Sequence, residues 1–181
     1  MAAGAVAVFG SSEPRPGEPL YERAYRLGLL LSAAGHTLLT GGYGGVMEAA
    51  SRGARDAGGT VIGVGCALFS GRTPNPYLHQ LVLAPDLFTR TRQLVEGARG
   101  YVVLPGKSGT LAELAMLWAL DRAGCLPHRP VILLGDAWSE FVDALSQMRM
   151  IEPEQLARTR IVASPERAVA ELVSALAAGE S

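Results

Sequence analysis

The stretch YVVLPGKSGTLAELAMLW, residues 101–118, decides the fold. Its first four residues are apolar and favour a strand. Pro105, Gly106 and Gly109 interrupt the run, and an amphipathic pattern then continues over residues 110–123. This is a buried strand feeding a helix through a turn. The same unit recurs on either side of it. Short apolar runs at residues 5–9, 36–40, 60–64, 80–83, 101–104, 131–134 and 160–162 read as strands covered on both faces. Helical patterns at 20–34, 46–57, 87–98, 110–123, 138–148 and 165–177 alternate with them. Asp86 is placed to cap the third helix, and Ser164-Pro165 is an N-cap followed by proline at the first helical position. Repeated strand-then-helix order predicts right-handed crossovers. The expected fold is α/β: a single doubly wound, Rossmann-like domain over residues 1–181, with a mainly parallel sheet of about seven strands flanked by helices. The longest irregular stretch, 67–78, is expected to be a functional or interface loop rather than a boundary.

Composition narrows the function. With 49% hydrophobic residues the chain has ample material for a core, which excludes disorder. Sixteen basic residues against 17 acidic ones do not favour nucleic acid as a partner. Cys66 and Cys125 form no CxxC, so reduced thiols are expected rather than a disulfide or zinc knuckle. His36, His79 and His128 form no ligand cluster, and no metal is expected. No apolar run is long enough to span a bilayer, and the first residues lack a basic signal region. A cytoplasmic protein without membrane contact is the expectation.

In a doubly wound sheet, ligands bind beyond the carboxyl ends of the strands. Three loops fall at that end. They are Gly10-Ser11-Ser12, Gly41-Gly42-Tyr43-Gly44-Gly45, and Pro105-Gly106-Lys107-Ser108-Gly109-Thr110. The second and third enter helices, whose first turns present free N–H groups and partial positive charge. A phosphate or nucleotide ligand follows, with Gly10, Ser11, Ser12, Gly42, Gly44, Gly45, Gly106, Lys107, Ser108, Gly109 and Thr110 as candidate binding residues. Tyr101 stands where a P-loop needs its first glycine, so an NTPase is disfavoured. The first loop lacks GxGxxG, and Thr40 ends the second strand where NAD-binding chains carry an acid.

Glu113 is the most specific carboxylate. It fits a capping box with Thr110, and it equally fits a functional group at the ligand end. Its burial against the helix N-terminus is expected to favour the ionised form. Arg90 and Arg92 near the start of the preceding helix, and Glu48 after the second glycine loop, are open to the same two explanations.

Together these residues resemble the Lonely Guy (LOG) family of cytokinin riboside 5′-monophosphate phosphoribohydrolases. The family pattern PGGxGTxxE corresponds to Pro105-Gly106-Lys107-Ser108-Gly109-Thr110-Leu111-Ala112-Glu113. Its glycine-rich loop corresponds to residues 41–47, and its early GSS to Gly10-Ser11-Ser12. Its Arg-Lys pair falls on Arg90-Thr91. The similarity runs from residue 6 to about residue 176. Lys107 and Tyr43 stand where the family has glycine, Thr91 where it has lysine, and Thr89 where it usually has an acid.

The resemblance implies hydrolysis of the N-glycosidic bond of a purine nucleoside 5′-monophosphate, AMP or an N6-modified AMP. It implies Glu113 and Arg90 as catalytic residues, no cofactor and no metal. It also implies a homodimer or higher homo-oligomer packed through helices 87–98 and 110–123. The chain is similar as well to molybdenum cofactor carriers of the same fold, which implies the alternative of a non-catalytic nucleotide or cofactor binder. Lysine decarboxylation, a name often given to such chains, requires a Schiff-base lysine, and the only lysine lies in a backbone turn.

Overall fold

The computed structural model describes residues 4–126 and 129–179; residues 1–3 and His128, discussed above, lie outside them. The chain begins with β1 (Ala5–Phe9), α1 (Pro19–Ala33), β2 (Thr37–Thr40), α2 (Val46–Asp56) and β3 (Val61–Cys66). It continues through β4 (Gln80–Ala84), α3 (Leu87–Glu96), β5 (Ala98–Val103), α4 (Ser108–Arg122) and β6 (Val131–Leu134). It closes with α5 (Ala137–Gln147), α6 (Pro153–Arg158), β7 (Thr159–Val162) and α7 (Pro165–Ala178).

The strands form one sheet in the order β4-β3-β2-β1-β5-β6-β7, and every pairing is parallel. The chain winds one way from β1 to β4, then crosses back to β5 on the other side of β1. The switch point therefore lies between β1 and β5, where the loops leaving adjacent strands diverge and open a crevice.

Strand alternation divides the core in two. Ala5, Ala7 and Phe9 of β1 face a layer built from α3, α4 and α5, including Leu94, Leu114, Leu117 and Trp138. Val6 and Val8 face the layer of α1, α2 and α7, including Leu27, Leu31, Ala50 and Leu172. The strands β1, β2, β3, β5 and β6 are covered on both faces, which is why they are mostly apolar. The edge strands β4 and β7, expected to be covered as well, are exposed over much of their length, with Leu83 at 61%.

Local signals account for the helix starts. The Asp86 carboxylate accepts from Thr89 N at 2.8 Å, and Ser164 Oγ accepts from Arg167 N at 3.3 Å. One helix, α6, is absent from the sequence reading. At six residues it is too short to display a period. Pro153 starts it, and Gln155 Oε1 accepts from Glu152 N at 2.9 Å. Gln155 Nε2 also donates to Trp118 O at 2.7 Å, tying α6 to α4.

The crossover from β3 to β4 carries no helix. The chain leaves β3 at the carboxyl end of the sheet and returns through residues 67–79 as irregular backbone. Main-chain bonds pin that path, from Ala67 N to Ala84 O and from His79 N to Val61 O, each 2.9 Å. Asn75 is its buried anchor. Its N–H donates to Gly42 O at 2.9 Å, Nδ2 donates to Tyr43 O at 3.0 Å, and Oδ1 accepts from Tyr77 N at 3.1 Å. The connection is thereby held across the end of the sheet where the glycine loops lie. Among the described residues, no helix is long and apolar enough to cross a membrane.

Candidate active site

A cleft of about 360 Å³ opens at the carboxyl ends of β1 and β5, at the switch point. The β1 loop contributes Gly10, Ser11, Ser12 and Glu13. The first turn of α4 and the residue before it contribute Lys107, Ser108, Gly109 and Thr110. Arg90 reaches it from α3, and Glu113 from α4. The opposite side is Gly41, Tyr43, Met47, Phe69 and Arg72.

Arg90 and Glu113 form the most unusual contact in the cleft. Their side chains are 10% and 11% exposed, and Arg90 Nη1 donates to Glu113 Oε1 at 3.3 Å. Arg90 Nε donates to Val64 O at 2.9 Å, within β3. The third guanidinium nitrogen lies against Gly41, where any Cβ would collide with Nη2. Glycine at 41 thus admits the guanidinium between β2 and the cleft.

Two expectations for Glu113 are corrected. Helix α4 begins at Ser108 with Lys107 at the N-cap, and no side chain caps it. Thr110 is therefore third in the helix and Glu113 sixth, beyond reach of the free N–H groups. The capping box does not form, and the carboxylate turns to Arg90 instead. Nor does the helix terminus favour the ionised form. Burial pushes the Glu113 carboxyl from its ordinary 4.5 up to about 7, against the opposing pull of Arg90.

The glycine loops divide their work. Gly10, Ser11, Ser12, Lys107, Ser108, Gly109 and Thr110 line the cleft. Gly42, Gly44, Gly45 and Gly106 stand behind its surface. Gly45 is the N-cap of α2 with φ of 69°, and a Cβ there would collide with Ser11 O. Val46 N donates to that same oxygen at 2.8 Å. The end of the second loop thus supports the first, while Gly41 and Tyr43 at its start face the cleft. Gly106 packs against the Thr110 side chain and Ser11 N.

Lys107 Nζ donates to Glu13 Oε1 at 2.6 Å across the cleft mouth, both side chains being largely exposed. Glu48 Oε1 accepts from Tyr21 Oη at 3.1 Å, and the exposed Arg92 stays on the outer face of α3; neither lines the cleft. Trp118 Nε1 donates to Thr159 Oγ1 at 3.2 Å within the core.

Sequence reasoning passed over Phe69, Arg72, Gly41, Met47 and Glu13 as lining residues, and named Tyr43 only as a departure. The signal for Phe69 and Arg72 was the helix-free length of 67–78. Tyr43 Oη accepts from Cys66 N at 2.9 Å and donates to Cys66 O at 3.3 Å, fastening the start of that segment. Cys66 and Cys125 are both free thiols. Among the described residues, no group of three or more His, Cys, Asp or Glu could hold a metal ion.

The model of the SLOG cluster4 family matches residues 4–169. A cytokinin riboside 5′-monophosphate phosphoribohydrolase of Mycobacterium marinum is 32% identical over 138 residues, 75% of this chain and 72% of that protein. A pyrimidine/purine nucleotide 5′-monophosphate nucleosidase of Escherichia coli is 31% identical over 140 residues, 72% of this chain but 30% of that protein. The molybdenum cofactor binding protein of Rippkaea orientalis superposes with a TM-score of 0.76 at 27% identity, covering 96% of this chain and 98% of that one.

Proposed function

From the premise that the chain belongs to the SLOG cluster4 family, we propose that it is a phosphoribohydrolase. It hydrolyses the N-glycosidic bond of a purine nucleoside 5′-monophosphate, AMP or an N6-modified AMP, and releases free base and ribose 5-phosphate. The Arg90–Glu113 pair carries this reading. It is a buried carboxylate that caps nothing, held by a buried guanidinium inside a cleft that ends in a phosphate-suited helix terminus.

The 5′-phosphate sits at the first turn of α4, on the N–H groups of Ser108, Gly109 and Thr110 and the hydroxyls of Ser11 and Ser12. Lys107 adds a cation at the mouth. That placement leaves the ribose beside Glu113. As the C1′–N bond breaks, its electron pair departs on the base, and positive charge develops at C1′ and the ring oxygen. The Glu113 carboxylate stabilises that charge. Water then gives its hydroxyl to C1′, and its remaining proton ends on the released base. Arg90 holds Glu113 in place and opposes its protonation, so the active form grows as pH rises through about 7. The exposed Leu87 and Phe88 of α3, with Leu111 and Met116 of α4, support a homodimer or higher homo-oligomer closed through these two helices.

A second reading, a non-catalytic nucleotide or molybdenum cofactor carrier, is favoured by the near full-length likeness to the Rippkaea orientalis protein. One experiment separates them. The protein and its Glu113→Ala variant are incubated with AMP and isopentenyl-AMP, and free base is followed by chromatography. Base released by the wild type and lost in the variant is the expected result. Nucleotide binding without release in either would establish the carrier.

A further inference from the structure

We propose that the β3–β4 connection forms the base-recognition wall of the cleft, with Phe69 as the stacking platform and Arg72 as the group that reads the base edge. This rests on the nucleotide reading above and specifies which part of the nucleotide each wall takes.

The cleft has two unlike walls. One presents the hydroxyls of Ser11, Ser12, Ser108 and Thr110 beside the amides of the α4 terminus. The other presents the rings of Tyr43 and Phe69, the thioether of Met47, and the Arg72 guanidinium. The contacts between them fix an order. Phe69 lies 5.8 Å from the Arg90 guanidinium, Arg90 lies 3.3 Å from Glu113, and Glu113 stands one turn of α4 after Thr110. A nucleoside monophosphate has the same order: planar base, C1′, then phosphate. With phosphate at α4 and C1′ at Glu113, the base falls on Phe69.

Phe69 is built for that role. Its ring meets Tyr43 edge-on, with centroids 5.6 Å apart and planes at 63°. Tyr43 is fixed in turn by its two hydrogen bonds to Cys66. Arg72 Cζ lies 4.7 Å from the Phe69 centroid and 6.0 Å from that of Tyr43. The exposed Arg72 guanidinium lies over the Phe69 ring, in the plane a stacked base would take. A base that displaces it from the ring face leaves its in-plane donors at the base edge, opposite the ring nitrogens and carbonyls. Asn75 locks the segment to the second glycine loop, so the wall is in place before ligand arrives. The absence of a helix in this crossover has a use: irregular backbone can lay a phenyl ring over the cleft mouth. Stacking area favours a bicyclic purine over a pyrimidine.

The test is calorimetric titration of the full chain with a C-nucleoside analogue of AMP, whose glycosidic bond is not hydrolysed, and, separately, with ribose 5-phosphate, which lacks the base. The analogue stands for AMP, and its cytosine counterpart for CMP. Phe69→Ala is expected to weaken AMP binding by about tenfold and to leave ribose 5-phosphate within about twofold. Phe69→Trp, which keeps a stacking surface, is expected to restore AMP affinity. Arg72→Ala is expected to narrow the preference for AMP over CMP. Equal weakening of both ligands by Phe69→Ala, or no weakening of either, would overturn the proposal. Failure of Phe69→Trp to restore affinity would do the same. A wild type that binds ribose 5-phosphate and not AMP would overturn the nucleotide reading itself, and that outcome appears before any variant is made.

Discussion

Replacing Glu113 by glutamine keeps the side chain's shape and removes its titration. In the native protein the carboxyl is 8% exposed and ionises at about 7, whereas in the unfolded chain it ionises at its ordinary 4.5. Between these values the native state binds the proton more tightly than the unfolded state. Stability from this group is therefore fully present below about pH 4.5 and is lost as pH rises through about 7. Integrating the two titrations gives a loss of roughly 2–3 kcal/mol between pH 5 and pH 8. For a chain of this size that is roughly 5–10 °C in Tm. The glutamine variant carries a static change, because Arg90 loses its counter-ion, but that change is the same at both pH values. The quantity to measure is thus a double difference: wild type minus Glu113→Gln, pH 5 minus pH 8, by urea or thermal unfolding without ligand. The wild type is expected to lose roughly 2–3 kcal/mol relative to the variant on going from pH 5 to pH 8. Parallel curves, or a wild type that gains relative to the variant, would refute burial as the dominant influence on Glu113.

Two further substitutions probe the surroundings of the pair. Gly41→Ala places a Cβ against Arg90 Nη2 and Met47 Sδ, so the guanidinium must move. Base release is expected to fall by about a hundredfold in kcat/KM, measured on AMP with circular dichroism confirming a folded protein. Tyr43→Phe removes the hydroxyl that serves both Cys66 N and Cys66 O. Cys66 O keeps its bond from Phe69 N at 3.1 Å, but the buried Cys66 N loses its acceptor, which is expected to destabilise the protein by about 1–3 kcal/mol, read as a lowered urea midpoint with unchanged slope.

The sheet was legible because its central strands are covered on both faces and are apolar almost throughout. A run such as Val131–Leu134 states its location by composition alone. Helix starts were legible where a side chain does the capping, as at Asp86 and Ser164. They were not legible at α4, because its first turn is capped by no side chain, and a threonine three residues before a glutamate mimicked a box. The phosphate-suited residues Ser11, Ser12, Ser108 and Thr110 could be placed at the cleft from loop position alone. The division between glycines that face the cleft and those behind it could not. It depends on how closely two loops approach in space: Gly45 is glycine because of Ser11, 34 residues away in the chain. Phe69 and Arg72 lie in a segment with no period and no motif, and only the path of the crossover brings them to Arg90.

Glu113 also sets a condition that separates a catalyst from a carrier. Both need an anion-suited helix terminus, and both use a flat wall for a heterocycle. Neither purpose needs a carboxylate between the two. When ionised it repels the phosphate that the rest of the cleft attracts, and its burial works against folding above neutral pH. A negative charge there is useful to one species, the cationic transition state at C1′. Glu113→Gln is therefore expected to bind AMP more tightly than the wild type at pH 8 while releasing base at least a hundredfold more slowly. The difference in affinity should vanish at pH 5, where the wild-type carboxyl is itself protonated. Titration calorimetry at the two pH values with a C-nucleoside analogue of AMP, whose glycosidic bond is not hydrolysed, paired with single-turnover base release from AMP, reads both quantities on the same preparations. A variant that binds AMP more weakly at pH 8 would mean that Glu113 holds the ground state. The cleft would then be that of a binding protein, with the carboxylate accepting a hydrogen bond from its ligand.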